Sequence, residues 1–237
     1  MVSMKRPTRL ATGTLLLLAL GQQALAQSPD TSPAETAEIP SALEAALFYQ
    51  LLLGEINARG TEPAAGYALV LDAARKTNDP ALYQRAVDIA FQSRSADAAL
   101  QAARAWKQAH PGSREANRYV LQILLALNRV ADSAEPLKSE VALAPAKDRS
   151  AVLALVPRSY ARVSDKKLAA SVVEQALAEY LASPATGAAA WTSVGRVRLA
   201  AGDSTGARGA ARRGPAAGPR AAGGGRGERG GGGGGGG

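Results

Sequence analysis

The sequence predicts an all-α protein assembled from helix–turn–helix units, on three observations. Alanine and leucine dominate a chain that is 46% hydrophobic but only 4% aromatic, a composition that favours helices over strands. Between residues 41 and 203, apolar side chains recur with the 3.6-residue period of amphipathic helices, and no stretch alternates with period two for long enough to be a strand. Pro80, Pro111, Pro145 and Pro184 each follow such a stretch, at spacings of 31, 34 and 39 residues. Proline ends a helix because it lacks an N–H donor and its ring clashes with the preceding turn.

The first element is a targeting segment over residues 1–26. Lys5, Arg6 and Arg9 precede the apolar run Ala11–Leu20, and Ala24-Leu25-Ala26 offers a small-x-small cleavage site before Gln27, the pattern of a secretory signal peptide. A membrane anchor would need about 20 apolar residues, and Gln22-Gln23 interrupt this run. No cysteine follows the site, which excludes a lipoprotein anchor. The expected mature protein is therefore exported, periplasmic or secreted, with no membrane span after cleavage. Residues 27–40, rich in Ser, Pro, Thr, Glu and Ala, read as a flexible leader.

The repeat domain is expected over 41–204, with about nine helices near 41–58, 63–77, 80–93, 96–109, 114–128, 131–143, 147–163, 166–182 and 186–201. Polar breaks separate them at 57–62, 93–97, 128–129 and 163–165. Asp79 is placed to cap a helix whose first residue is Pro80, and Ser113 to cap the helix after Pro111. Pro136 falls in the first turns of its helix, where a missing N–H costs little. Pro157 falls inside the 147–163 helix and leaves the register of that unit open.

After Thr205 the alphabet collapses to Gly, Ala, Arg, Pro and one Glu, ending in eight consecutive glycines. Residues 205–237 are thus expected to be a disordered Gly/Ala/Arg tail, and every residue type in it has GC-rich codons, as a shifted reading frame or truncation would produce. An RNA-binding Arg/Gly tail would interleave aromatics for stacking, and this one has none. A solenoid needs a terminal helix to seal its last repeat. The end of the array, including Trp191 and Val194, is accordingly expected to lie open and to invite self-association.

Charge excludes one class of function. The chain carries 28 Lys and Arg against 20 Asp and Glu, a net +8, but residues 27–204 hold 19 of each sign. The basicity sits in the two ends, so the body is not built for nucleic acid. With no cysteine and one histidine, disulfides, thiolate sites and multi-histidine metal sites are excluded. His110, before Pro111, reads as a helix C-terminal residue favoured by the dipole, and Trp106 and Trp191 as packing residues at helical spacing. No catalytic constellation, cofactor site or metal site is expected.

A period close to 34 with two helices per unit resembles the tetratricopeptide repeat (TPR) family. The residues that carry the resemblance are Trp191, Val194-Gly195, Gly202-Asp203 and Ala207 in the last unit, with weaker matches at Tyr83, Ala86-Val87, Ala90, Ala99, Trp106 and Pro111. Tyr49, Leu52-Leu53, Ile56 and Gly60, then Gly66-Tyr67 to Ala73, match the first unit. The run Phe48–Ile56, with Ala73–Pro80 and Tyr83–Ala90, is similar to exported TPR proteins of Gram-negative bacteria. The resemblance spans residues 41–207. It implies an open right-handed superhelix whose inner face is lined by the first helix of each pair. On this chain that face would hold Gln50, Asn57, Gln84, Asp88, Gln92, Arg118 and Gln122. The set is amide-rich and nearly neutral, so it does not look built for an acidic tail. The function implied is a non-enzymatic scaffold or adaptor for other envelope proteins or peptides. The alternatives are the N-terminal regulatory repeats of a longer envelope enzyme and a peptidoglycan-binding module.

Overall fold

The computed structural model describes residues 42–217; the expected signal peptide, the leader and residues 218–237 lie outside the described residues. The described residues all fall within one compact unit. The described residues are helical throughout, with no strand. The helices are α1 (Ala42–Arg59), α2 (Pro63–Thr77), α3 (Pro80–Gln92), α4 (Ala96–Ala109), α5 (Arg114–Ala126), α6 (Ala134–Ala142), α7 (Arg149–Ser159), α8 (Lys166–Ala176), α9 (Ala178–Leu181), α10 (Gly187–Ala200) and α11 (Ser204–Ala217). Short 3₁₀ turns at Ala131–Ser133 and Ala146–Asp148 lead into α6 and α7.

The all-α expectation holds, and so do the caps. Asp79 accepts from the Ala81 amide at 2.8 Å with Pro80 opening α3, and Ser113 accepts from Ala116 at 3.1 Å to open α5. Asp165 caps α8 through Leu168 at 2.9 Å. Three hairpin turns share one geometry. Arg94, Asn128 and Gly202 have positive φ, and the following amides (Ser95, Arg129, Asp203) reach back to the carbonyls of Ala90, Leu124 and Arg198 at 2.8–2.9 Å. A left-handed residue closed by such a bond is the usual way to satisfy helix-end carbonyls.

Consecutive helices pack in series from α1 to α6, and α10 then packs against α7, α8 and α11. One buried cluster runs from Val70 to Leu124 and a second from Leu121 to Val197. Trp106, 2% exposed, is a core residue, its ring 5.6 Å from that of Tyr119. His110 also has a structural post: Nε2 lies 2.8 Å from the Asn78 carbonyl, and the ring stands edge-on to Tyr83. The first crossing depends on glycine. A Cβ on Gly66 would stand 2.5 Å from the Ala58 amide nitrogen and 2.7 Å from the Gly54 carbonyl.

Three expectations are corrected. The 166–182 helix is divided at Leu177 into α8 and α9, a turn that buries both Leu177 and Tyr180. Secondly, residues 205–217 are not disordered, because Ser204–Ala217 is α11. Asp203 accepts from the Gly206 amide at 2.8 Å to start it, and alanine and arginine are strong helix formers. Thirdly, the end of the array is not open at Val194, which is 1% exposed beneath α11. Gly195 makes this possible, since a Cβ there would lie 3.3 Å from the Ala210 methyl. Trp191 is half-buried, with the Arg213 guanidinium 4.9 Å above its ring. Self-association through an uncovered edge at Trp191 and Val194 thus loses its basis.

Pro157 is accommodated inside α7. Proline removes the N–H that would bond the carbonyl four residues earlier, here Leu153, which is 0% exposed. Ser193 of α10 supplies the missing donor, its hydroxyl reaching the Leu153 oxygen at 2.6 Å. Pro136 sits in the first turn of α6, and its carbonyl accepts from Asn117 Nδ2 at 2.9 Å.

At the end of α7, the Tyr160 hydroxyl lies 2.7 Å from Ser133 Oγ. Burial pushes its phenol up to about 12, with the Ser133 hydrogen bond acting in the opposite direction. The folded protein therefore keeps a proton that the unfolded chain loses at about pH 10. The stability this contributes is intact below that pH and is lost as pH rises through about 12. Thermal melts between pH 9 and 12 (roughly the window of interest) are expected to fall more steeply for the parent than for Tyr160→Phe. Parallel curves would show that Tyr160 does not titrate in this way.

Candidate protein-interaction groove

The sequence marked seven polar residues for one face, and the structure divides them. Gln50 is consumed within the first hairpin: Nε2 donates to the Leu69 carbonyl at 2.8 Å and to Asp72 at 2.9 Å, and Oε1 accepts from Lys76 at 3.1 Å. It latches α1 to α2 and is not available as a groove donor. Gln84 Nε2 donates to the Tyr119 hydroxyl at 3.1 Å and ties α3 to α5. Asn57 and Asp88 are half-buried on α1 and α3, and Gln92 is exposed at the end of α3. Beside them Arg85 grips Glu55 through two bonds of 2.6 and 2.7 Å, and this guanidinium holds the Glu55 carboxyl below the usual carboxylate range.

Arg118 and Gln122 do come together, on α5. Positions 114, 118, 122 and 125 share one face of that helix, one turn apart. On α7 the same holds for Val152, Leu155 and Ser159, with Arg158 beside them and Arg162 in the turn that follows. Two adjoining cavities of about 210 and 600 Å³ lie between the two helices, sharing Gln122, Leu125, Leu155 and Ser159 as lining. Together they form one continuous groove between the first helices of neighbouring hairpins. Asn57, Gln84, Asp88 and Gln92 do not line it.

Its floor is apolar, from Leu121, Leu125, Val152 and Leu155, and Leu155 is 58% exposed. One end is closed by an ion pair: Arg114 Nε donates to Glu140 at 2.9 Å, and Asn117 Nδ2 lies 3.4 Å from the other carboxylate oxygen. Glu140 is only 8% exposed, so its charge is held by partners. A buried carboxylate is tolerated only on such terms. The walls are held in place from behind, α7 by the Ser193 bond to Leu153 and by Tyr160 on Ser133.

Arg158, Arg162, Leu155 and Ser159 were missed in the sequence. A signal was present, an exposed apolar residue and two arginines four apart, but Pro157 blurred the helix that carries them. With them this groove is arginine-rich, and the amides are the minority. Chemically the groove offers apolar contact, guanidinium donors and the Gln122 amide. Among the described residues there is no cluster of His, Cys, Asp or Glu able to hold a metal, and no helix long and apolar enough to cross a membrane. A second exposed apolar surface lies on α1, where Phe48, Leu52 and Ile56 recur at four-residue intervals with Tyr49 beside them.

No family model matches the chain, and no curated protein matches it. Solved structures similar to it include two helical proteins. A MamA structure, titled the RS-1 ArsTM double mutant, is 14% identical, with a TM-score of 0.40, and the match covers 72% of this chain and 93% of that one. PilW, described as a widely conserved type IV pilus biogenesis factor, is 18% identical, with a TM-score of 0.36, and the match covers 73% of this chain and 77% of that one. The architecture rests on the chain's own geometry, paired helices with the same left-handed turn recurring from Arg94 to Asn128 and again at Gly202. By that geometry the described residues form an all-helical array of paired helices.

Proposed function

We propose that this protein is a non-enzymatic scaffold of the bacterial envelope that holds segments of other proteins in the groove between α5 and α7. The observation that carries the reading is the exposed apolar floor around Leu155, walled by side chains able to hydrogen-bond. A folded protein gains nothing by leaving such a surface to water. Its place between helices of an array suits an extended chain better than a compact small molecule. Export is supported by the basic, apolar and small-x-small order of residues 1–26.

The test is site-specific photo-crosslinking in a Gram-negative host exporting the protein, read on the periplasmic fraction. A photoreactive residue at Gln122 is expected to trap a discrete protein partner. The same residue at Gln108, near Lys107 and Pro111 on another surface, is expected to trap none. Equal yields from both positions, no adduct from Gln122, or no protein in that fraction would contradict the reading.

A further inference from the structure

The groove's charge says which segments it takes. Four arginines and one glutamate line the two joined cavities. Glu140 is already matched by Arg114 at 2.9 Å. Arg118 has only Glu115 at 3.9 Å, with both side chains half-exposed. Arg158 at the end of α7 and Arg162 in the turn after it are exposed and have no ion-pair partner among the described residues. Two cationic forks, Arg158 and Arg162, therefore line an apolar groove with no carboxylate to occupy them, and Arg118 has only a loose one. Guanidinium is always charged and presents paired donors that match a carboxylate.

We propose that the occupant is an extended protein segment in which acidic side chains flank an apolar one. The apolar residue rests on Leu125 and Leu155, and the carboxylates meet Arg118, Arg158 and Arg162. Gln122, on the α5 wall, is placed to bond the segment's backbone. This deepens the groove reading and rests on it. Each exposed pair contributes modestly on its own, so preference comes from three acting on one segment, and salt screens it.

The experiment titrates the intact protein with three labelled decapeptides in which leucines are separated by pairs of glutamate, glutamine or lysine. Fluorescence anisotropy is read at low and high salt. The glutamate peptide is expected to bind about tenfold more tightly than the glutamine peptide at low salt, with the gap closing at high salt. The lysine peptide is expected to bind weakest. Arg158→Gln with Arg162→Gln is expected to remove most of the preference for the glutamate peptide over the glutamine peptide. Leu155→Glu is expected to weaken all three, and far-UV circular dichroism of each variant checks that the helices remain. Equal binding of glutamate and glutamine peptides, or a preference that survives the double substitution, overturns this inference and leaves the groove standing. Failure of all three peptides to bind the parent overturns both.

Discussion

Gly66→Ala is expected to destabilise the first hairpin by about 3 kcal/mol, the upper end of what overpacking costs. The added methyl has nowhere to go. It would meet backbone on three sides, the Ala58 nitrogen and Cα at 2.5 and 2.8 Å and the Gly54 oxygen at 2.7 Å. Side chains can rotate away from a clash; a helix backbone has to be moved bodily. Separating α1 from α2 also pulls Gln50 from Leu69 and Asp72, and Glu55 from Arg85. Gly112 is the control, because a Cβ there meets nothing within 4 Å, so Gly112→Ala is expected to change stability by less than about 0.5 kcal/mol. Urea melts of the two variants decide it. Equal midpoints would mean that α1 and α2 do not cross as described.

Ser193→Ala is expected to cost about 1–3 kcal/mol, the range for stranding a buried acceptor. Leu153 and Ser193 are 0% and 1% exposed, so water does not replace the lost hydroxyl without opening the α7–α10 contact. The cause is Pro157, and that makes a sharper test. In a Pro157→Ala background, the restored amide serves Leu153 from within α7, and Ser193→Ala is then expected to cost under about 0.5 kcal/mol. A double-mutant cycle on thermal melts measures the difference. An equal cost in both backgrounds would show that the serine does not stand in for the missing helix donor.

The first five helices were legible because their ends are written in single residues. Asp79, Pro80 and Ser113 cap α3 and α5, and Asn78 and Asn128 adopt the left-handed turn that ends a helix. Later boundaries were blurred where nothing local announces them: α6 and α7 begin in 3₁₀ turns, and α9 is set off by a distortion at Leu177 with no proline or glycine. α11 was missed for a physical reason. Its Gly/Ala/Arg composition carries no apolar periodicity, yet a close crossing at Gly195 requires residues as small as Ala210. At the groove, periodicity placed Arg118 and Gln122 on the right face of α5. It could not show that Gln50 would be spent on α2, since a helical face does not reveal what stands opposite. Nor could it recover Arg158 and Arg162 across a proline that the Ser193 bond, 36 residues away from Pro157 in sequence, makes admissible.

Hydrogen exchange bears most directly on the central claim, that the α5–α7 groove is where this array meets other proteins. A bound segment slows the local openings through which helix amides exchange. With the glutamate–leucine decapeptide near saturation, protection is expected over Arg118–Ala126 on α5 and Val152–Arg162 on and after α7, with α1 and α10 unchanged. Protection centred on Phe48–Ile56 of α1, or at the α10–α11 end, would contradict it.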